Sequence, residues 1–329
     1  HDQTGLYKKS PAGAGMPAEG VDLLAVAQNV GPSTRENCGV CHFYGGGGEN
    51  VKHGDLDEEL VDPTPEYDVH MGNGMTCQDC HTTENHNIKG RSMAIITDES
   101  NRVLCTDCHE SNVHDNEKLN THSEKIACQT CHIPVYAKAK PTKIYWDWST
   151  SGSDKKAPKD KFGLATYSKE KGDFVWDVKI KPEYYWYNGN SERYLKGDKL
   201  NPEEVLFLNR PSGSHKDENS KIYPFKVMRG KQIYDTKNNY LIIPKLWGGY
   251  WKYFDWNKAS EEGMKVAGLD YSGEYGWIDT EMYWKLNHMV SPKEDALKCT
   301  DCHGKSGERR MDWEKFGYKG DQMLKKYRK

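Results

Sequence analysis

All ten cysteines of this 329-residue chain fall in C-x-x-C pairs: Cys38/Cys41, Cys77/Cys80, Cys105/Cys108, Cys128/Cys131 and Cys299/Cys302. The residue after every pair is histidine, giving His42, His81, His109, His132 and His303. Two thiols three positions apart face the same side of a helical turn, so they can form thioethers to the two vinyls of one porphyrin. The adjacent imidazole then reaches the iron. The pattern predicts five covalently attached c-type haems.

Zinc ribbons and redox-active dithiols also use paired C-x-x-C knuckles, but neither explains the histidines. With 13 His in 329 residues, a histidine falls at one given position roughly 4% of the time, and five of five by accident is on the order of one in ten million. Thioether attachment would leave no thiol for a disulfide. It also takes place outside the cytoplasm, where free thiols would otherwise pair, so a periplasmic or extracellular location is expected.

Only 36% of residues are hydrophobic and the mean hydropathy is −0.92. Ten Trp and 20 Tyr nevertheless exclude a solvated random chain. A folded protein whose missing apolar surface comes from bound cofactor reconciles the two. The formal charge of −3 would fall to roughly −8 to −13 with ionised propionates. A basic redox partner or a mineral surface is therefore expected, and nucleic acid is not. No apolar run reaches membrane-spanning length; the longest, Val21 to Val30, is broken by Asp22, Gln28 and Asn29. A leader of basic and apolar residues is likewise not seen at His1, so any signal peptide is expected to have been removed.

Five attachment sites leave His1, His53, His70, His86, His114, His122, His215 and His288 as candidates for the second axial position. An imidazole on both faces makes a saturated iron suited to electron transfer, whereas a weak second ligand leaves room for substrate. His70, His86, His114 and His122 lie between attachment sites in polar segments that give an imidazole no core to fill, and are expected to ligate. His288 is placed in a helix running from about Thr280 to Val290, stopped by Pro292, with Trp284 on its face. His215, in a Ser/Gly loop, is expected to be exposed. His1, at a terminus, could reach another molecule.

Four motifs crowd into residues 38–132, separated by linkers of 34, 23 and 18 residues, and the fifth follows a gap of 166. Linkers this short bring neighbouring porphyrins close. Residues 1–132 read as a four-haem core, 133–298 as an aromatic-rich cap and 299–329 as a fifth-haem segment. Nine of the ten Trp lie in the cap, which would cover haem edges and exclude water. Within it Phe174, Trp176, Val178 and Ile180 alternate with charged residues as in a half-buried strand. Gln232–Asp235 and Tyr240–Ile243 flank a hairpin turn. Lys155 to Lys161 reads as solvated loop. The fold class is thus a multihaem cytochrome c, mainly α and irregular around its haems, with a β-containing insertion.

Several runs resemble the octahaem tetrathionate reductase family, relatives of the pentahaem nitrite reductases and hydroxylamine oxidoreductases. They are ENCGVCHFYGGGGENVKHGDLD at Glu36 to Asp57, DVHMG at Asp68 to Gly72, ACQTCHIP at Ala127 to Pro134, PTKIYWDWST at Pro141 to Thr150, LNHMVSP around His288 and ALKCTDCHG around Cys299. The resemblance implies that the haem at Cys38, Cys41 and His42 is the active one and that Lys52 is its second ligand and catalytic-site residue, with His53 as the competing ligand. A ligating lysine must be neutral, hence buried. Gly45 to Gly48 would be a flexible turn or a place where a small anion approaches the iron. The family carries eight haems against five motifs here, and no C-x-x-C-K is found. Two functions follow as expectations. One is electron transfer, with redox proteins or copies of the chain as partners, up to an extracellular filament. The other is reduction of a sulfur or nitrogen oxyanion such as tetrathionate or nitrite, or of hydroxylamine.

Overall fold

The structure is a computed structural model that describes residues 17, 19–85, 87–92, 101–305, 307 and 309–324. The expectations for His1 and His86 lie outside the described residues.

The helices are short: α1 (Leu23–Gln28), α2 (Arg35–His42), α3 (Cys77–Cys80), α4 (Glu117–His122), α5 (Cys128–His132), α6 (Trp251–Tyr253), α7 (Trp256–Ala267) and α8 (Cys299–Cys302). A two-stranded ladder, β1 (Thr83–Glu84) with β2 (Asn87–Ile88), follows the second motif. The remaining strands make one mixed sheet: β3 (Thr142–Asp147), β4 (Tyr167–Ser168), β5 (Gly172–Asp177), β6 (Glu183–Tyr187), β7 (Ser191–Arg193), β8 (Leu206–Pro211), β9 (Lys221–Asp235), β10 (Tyr240–Leu241) and β11 (Tyr275–Lys285). The order is β4-β5-β3-β9-β11-β8-β7, with β6 and β10 also pairing β9.

The 15-residue β9 is the spine of this sheet. It serves β6 through its first five residues and β3 through Arg229–Lys231, while β11 runs antiparallel along the other side. Gly230 allows the parallel approach of β3, because a Cβ there would stand 2.7 Å from the Trp146 carbonyl oxygen. The expected hairpin forms, with Tyr240 opposite Asp235 and Leu241 opposite Tyr234. The strand expected from Phe174 onward forms but ends at Asp177, and Lys179 has φ +52°. Ile180 instead makes an isolated bridge to Tyr136.

The helix expected over Thr280–Val290 does not form. Residues 275–285 are β11, paired residue for residue with β9 from Tyr275↔Asp235 to Lys285↔Phe225. Trp277, Ile278, Thr280, Tyr283 and Trp284 are aromatic or β-branched and suit a pleated surface. Eleven partners on β9 outweigh the i, i+4 spacing of Trp284 and His288, and His288 lies in the loop beyond the strand.

The side-chain core sits on the sheet. One cluster joins Ala127, Tyr187, Tyr223, Phe225, Val227 and Tyr283, and a second packs α7 through Trp256, Ala259 and Met264 against Ile233 and Tyr250. A third clamps the C-terminal segment to the sheet through Trp186, Ile222, Met311, Trp313 and Phe316. Each large ring buried this way contributes about 2–3 kcal/mol. The motif-bearing region is built differently. Among the described residues from 71 to 126, none is buried, so the packing there is left to something other than side chains. Lys155 to Lys161 is largely exposed, as expected, with Lys155 paired to Asp173 at 2.8 Å.

Candidate haem-binding site

Each motif opens a turn of helix, and the sequence around it supplies the cap. Thr34 and Asn37 form a reciprocal capping box ahead of Cys38. In three motifs an aspartate inside C-x-x-C does the same work. Asp79 accepts the Thr76 N–H at 2.6 Å, Asp107 the Leu104 N–H at 2.9 Å, and Asp301 the Lys298 N–H at 2.7 Å. Capping tightens the turn that holds the two thiols on one face. The N–H groups of His81, His109 and His303 then close onto the carbonyls of Cys77, Cys105 and Cys299, each at 2.9 Å. All ten cysteines are free of disulfides.

Four of the five motif histidines face an imidazole from the candidate set. His81 and His288 are 6.3 Å apart between ring centroids, His109 and His70 5.9 Å, His132 and His114 6.3 Å, and His303 and His122 6.2 Å. An imidazole nitrogen binds a first-row metal at about 2.0 Å, and that nitrogen lies about 1.1 Å from its ring centroid. Two imidazoles on one iron therefore stand about 6.2 Å apart. The four pairs meet this spacing, so the residues present fit an iron porphyrin between each pair. Trp284, buried and within 4.8 Å of the His53 ring, has an Nε1–H with no acceptor among the described residues. A haem propionate is an acceptor of the required kind.

The outer ring nitrogens are also held. His81 Nδ1 lies 2.8 Å from the Lys89 carbonyl oxygen, His122 Nδ1 2.5 Å from that of Lys118, and His114 Nδ1 3.2 Å from Asn120 Oδ1. His288 Nδ1 meets the buried carboxylate of Asp55 at 3.2 Å, and His303 Nδ1 that of Asp321 at 2.6 Å. These anchors fix ring orientation through Nδ1 and would leave Nε2 available to an iron. Burial alone would push the Asp55 carboxyl up, but hydrogen bonding and charge from His288 and His53 hold it below the ordinary carboxylate range. Neither aspartate was singled out from the sequence, because contacts across 233 and 18 residues leave no local signal.

His42 differs from the rest. Among the described residues no imidazole stands opposite it at the pair spacing. The His53 ring packs edge-on against Trp284, and burial, which favours the neutral imidazole, lowers its pKa to about 4. Lys52 is exposed, with its Nζ 5.9 Å from the Trp284 ring centre. Its aliphatic stem lies along Gly46, where a Cβ would come within 2.4 Å of it. Gly46 has φ +89° and Gly47 φ +94°, and a Cβ on Gly47 would come within 3.7 Å of Lys171 Nζ. Behind this loop the wholly buried Lys226 ties the Lys52 run to the sheet, donating to the Val51 carbonyl at 2.8 Å and to Thr142 Oγ1 at 2.5 Å. Burial pushes its pKa well below the ordinary lysine range. His215 is exposed, as expected, and touches Tyr318.

The motifs also follow one another in space. The Cys77 thiol lies within electrostatic reach of Cys38, and Cys105 within that of Cys128. Cys80 lies within electrostatic reach of Cys108, and Cys131 within that of Cys299 and Cys302. First to fifth, each motif lies within electrostatic reach of the next.

Residues 143–306 match the family described as Cytochrome c bacterial, and residues 64–133 that of Cytochrome c7 and related cytochrome c. A 53-residue stretch is 42% identical to an uncharacterized protein of Archaeoglobus fulgidus, covering 16% of this chain and only 18% of that protein. The crystal structure of octaheme cytochrome c from Shewanella oneidensis is similar over 98% of this chain and 75% of that one, with 51% identity and a TM-score of 0.88. No helix among the described residues is long and apolar enough to cross a membrane. Motifs, paired imidazoles and a shared fold at this identity converge: the chain belongs to the octahaem cytochrome c family of multihaem c-type cytochromes, and its cofactors are covalently attached haems.

Proposed function

We propose that this chain carries five haems and conducts electrons along them in motif order, outside the cytoplasm. The observation that carries the reading is the set of four imidazole pairs at 5.9–6.3 Å. The haems supply reversible one-electron chemistry with little reorganisation when both axial places are filled by nitrogen. The attachment residues are the ten cysteines with His42, His81, His109, His132 and His303. The opposing ligands are His288, His70, His114 and His122, with Lys52 for the His42 haem: its amine is exposed in the polypeptide alone, and the haem itself would supply the burial that a neutral, ligating lysine needs. In this organisation residues 1–132 hold four haems, 133–298 cap them with the aromatic sheet, and 299–329 bring the fifth. Partners are redox proteins or further copies of the chain.

The test is intact mass and electron paramagnetic resonance of the purified protein. Five haem increments, four bis-imidazole signals and one distinct signal are expected. A mass equal to the bare polypeptide, or five identical bis-imidazole signals, would refute the assignment.

A second reading is reduction of a small sulfur or nitrogen oxyanion, or of hydroxylamine, at the His42 haem. It is favoured by the unlike environment of that haem: a lysine stem along Gly46, and Lys171 Nζ beside Gly47. Titration with nitrite or hydroxylamine should perturb one haem in five. A spectrum unmoved by either leaves conduction alone.

A further inference from the structure

We propose that two buried carboxylates, Asp55 and Asp321, set the electron affinity of the two haems served by His288 and His303, making these the hardest of the four imidazole-paired haems to reduce. The inference rests on the ligand assignment above. Among the described residues, these are the carboxylates that meet the Nδ1 of a paired histidine, at 3.2 Å and 2.6 Å. The other anchored rings meet neutral acceptors: a carbonyl oxygen at His81 and His122, and an amide oxygen at His114.

Both aspartates are built into place. Asp55 is 1% exposed and also accepts the backbone N–H groups of Asn287 at 2.8 Å and His288 at 3.1 Å. Asp321 is wholly buried and accepts those of Gly304 at 2.7 Å and Met323 at 2.9 Å. An anion fixed by backbone donors away from water keeps its full effect on the ring. An imidazole whose N–H points at a carboxylate is the more basic ligand. It donates more charge to iron, favours the ferric state and so lowers the reduction potential. These haems occupy the second and fifth positions of the chain of motifs, on either side of the third and fourth. Electrons entering the paired haems settle first on the central two.

The experiment uses the haem-loaded protein with Asp55→Asn and Asp321→Asn, titrated potentiometrically and followed by paramagnetic resonance. Asparagine keeps an acceptor for the backbone donors but carries no charge. Each variant should move one haem about tenfold toward reduction, which is about 59 mV for a one-electron couple. It should also shift the g values of that haem's low-spin signal and leave the others in place. The reciprocal change, Asn120→Asp, should lower the potential of the His114/His132 haem, and it decides the matter if either aspartate variant fails to hold its haem. Unmoved potentials overturn the proposal. Moved potentials with unchanged g values also overturn it, since the carboxylate would then act as a distant charge and not through the ligand. If the unsubstituted protein shows no bis-imidazole signals, the ligand assignment itself fails.

Discussion

Replacing His114 with alanine should open one iron and do little else. The His114/His132 pair has its ring centroids 6.3 Å apart and nearly parallel, at 19°. Halving that distance and removing about 1.1 Å from centroid to nitrogen leaves about 2.0 Å, a metal–nitrogen bond. His114 is held by its backbone as well as its ring. Its N–H donates to Asn120 Oδ1 at 3.1 Å, and its carbonyl accepts from Asn120 Nδ2 at 2.8 Å. Both bonds survive in alanine. Only the ring hydrogen bond at 3.2 Å is lost from the protein itself, about 1 kcal/mol, which in a chain of this size lowers Tm by about 2 °C. The haem, still tied by Cys128, Cys131 and His132, should become five-coordinate. Carbon monoxide titration of the reduced variant should therefore show one more binding site per chain than the unsubstituted protein, about one-fifth of the total haem. An unchanged carbon monoxide stoichiometry with an unchanged low-spin spectrum would refute the pairing.

Three further changes probe other parts of the molecule. Lys52→Ala should convert one haem, that of His42, from low to high spin while the four paired haems keep their signals; identical spectra would remove Lys52 from the ligand set. Burial raises the Asp57 carboxyl from 3.8 to about 7 despite the Tyr67 phenol donating to it. The native state thus holds a proton that the unfolded chain has lost between pH 4 and 7, so this group's contribution is fully present below pH 4 and is lost as pH rises through 7. Asp57→Asn should stabilise the protein above pH 7 by up to about 4 kcal/mol, with no gain below pH 4, and denaturation at pH 8 and pH 4 would expose an error in sign. Gly172 has φ +85°, and a Cβ there would lie 1.9 Å from the Asp147 carbonyl oxygen. Gly172→Ala should cost about 3 kcal/mol or more with no change in haem content, and a loss under 1 kcal/mol would contradict the packing of β5 on β3.

The chemistry of this protein was legible in its sequence because covalent attachment is local: thiols and proximal imidazole sit within five residues, and Thr76, Asp79, Asp107 and Asp301 add caps within reach of the same turn. The distal set was half legible. Polar surroundings pointed to His70, His86, His114 and His122, and an expected helix to His288, but which histidine faces which motif is a matter of long-range placement. His122 meets His303 across 181 positions of chain, and nothing in either neighbourhood states it. The helix read around His288 failed for the same reason. An i, i+4 spacing is a property of one segment, whereas β11 exists because β9 lies beside it along eleven residues. Asp55 and Asp321 were likewise invisible as partners of His288 and His303, because a hydrogen bond to a ring nitrogen needs only proximity in space. The sequence by itself determined that c-type haem is carried, and it marked five motifs at which haem can be tethered. The tertiary structure decided which imidazole stands opposite four of the motif histidines, because that is set by packing between segments from 18 to 207 residues apart and not by any bond along the chain.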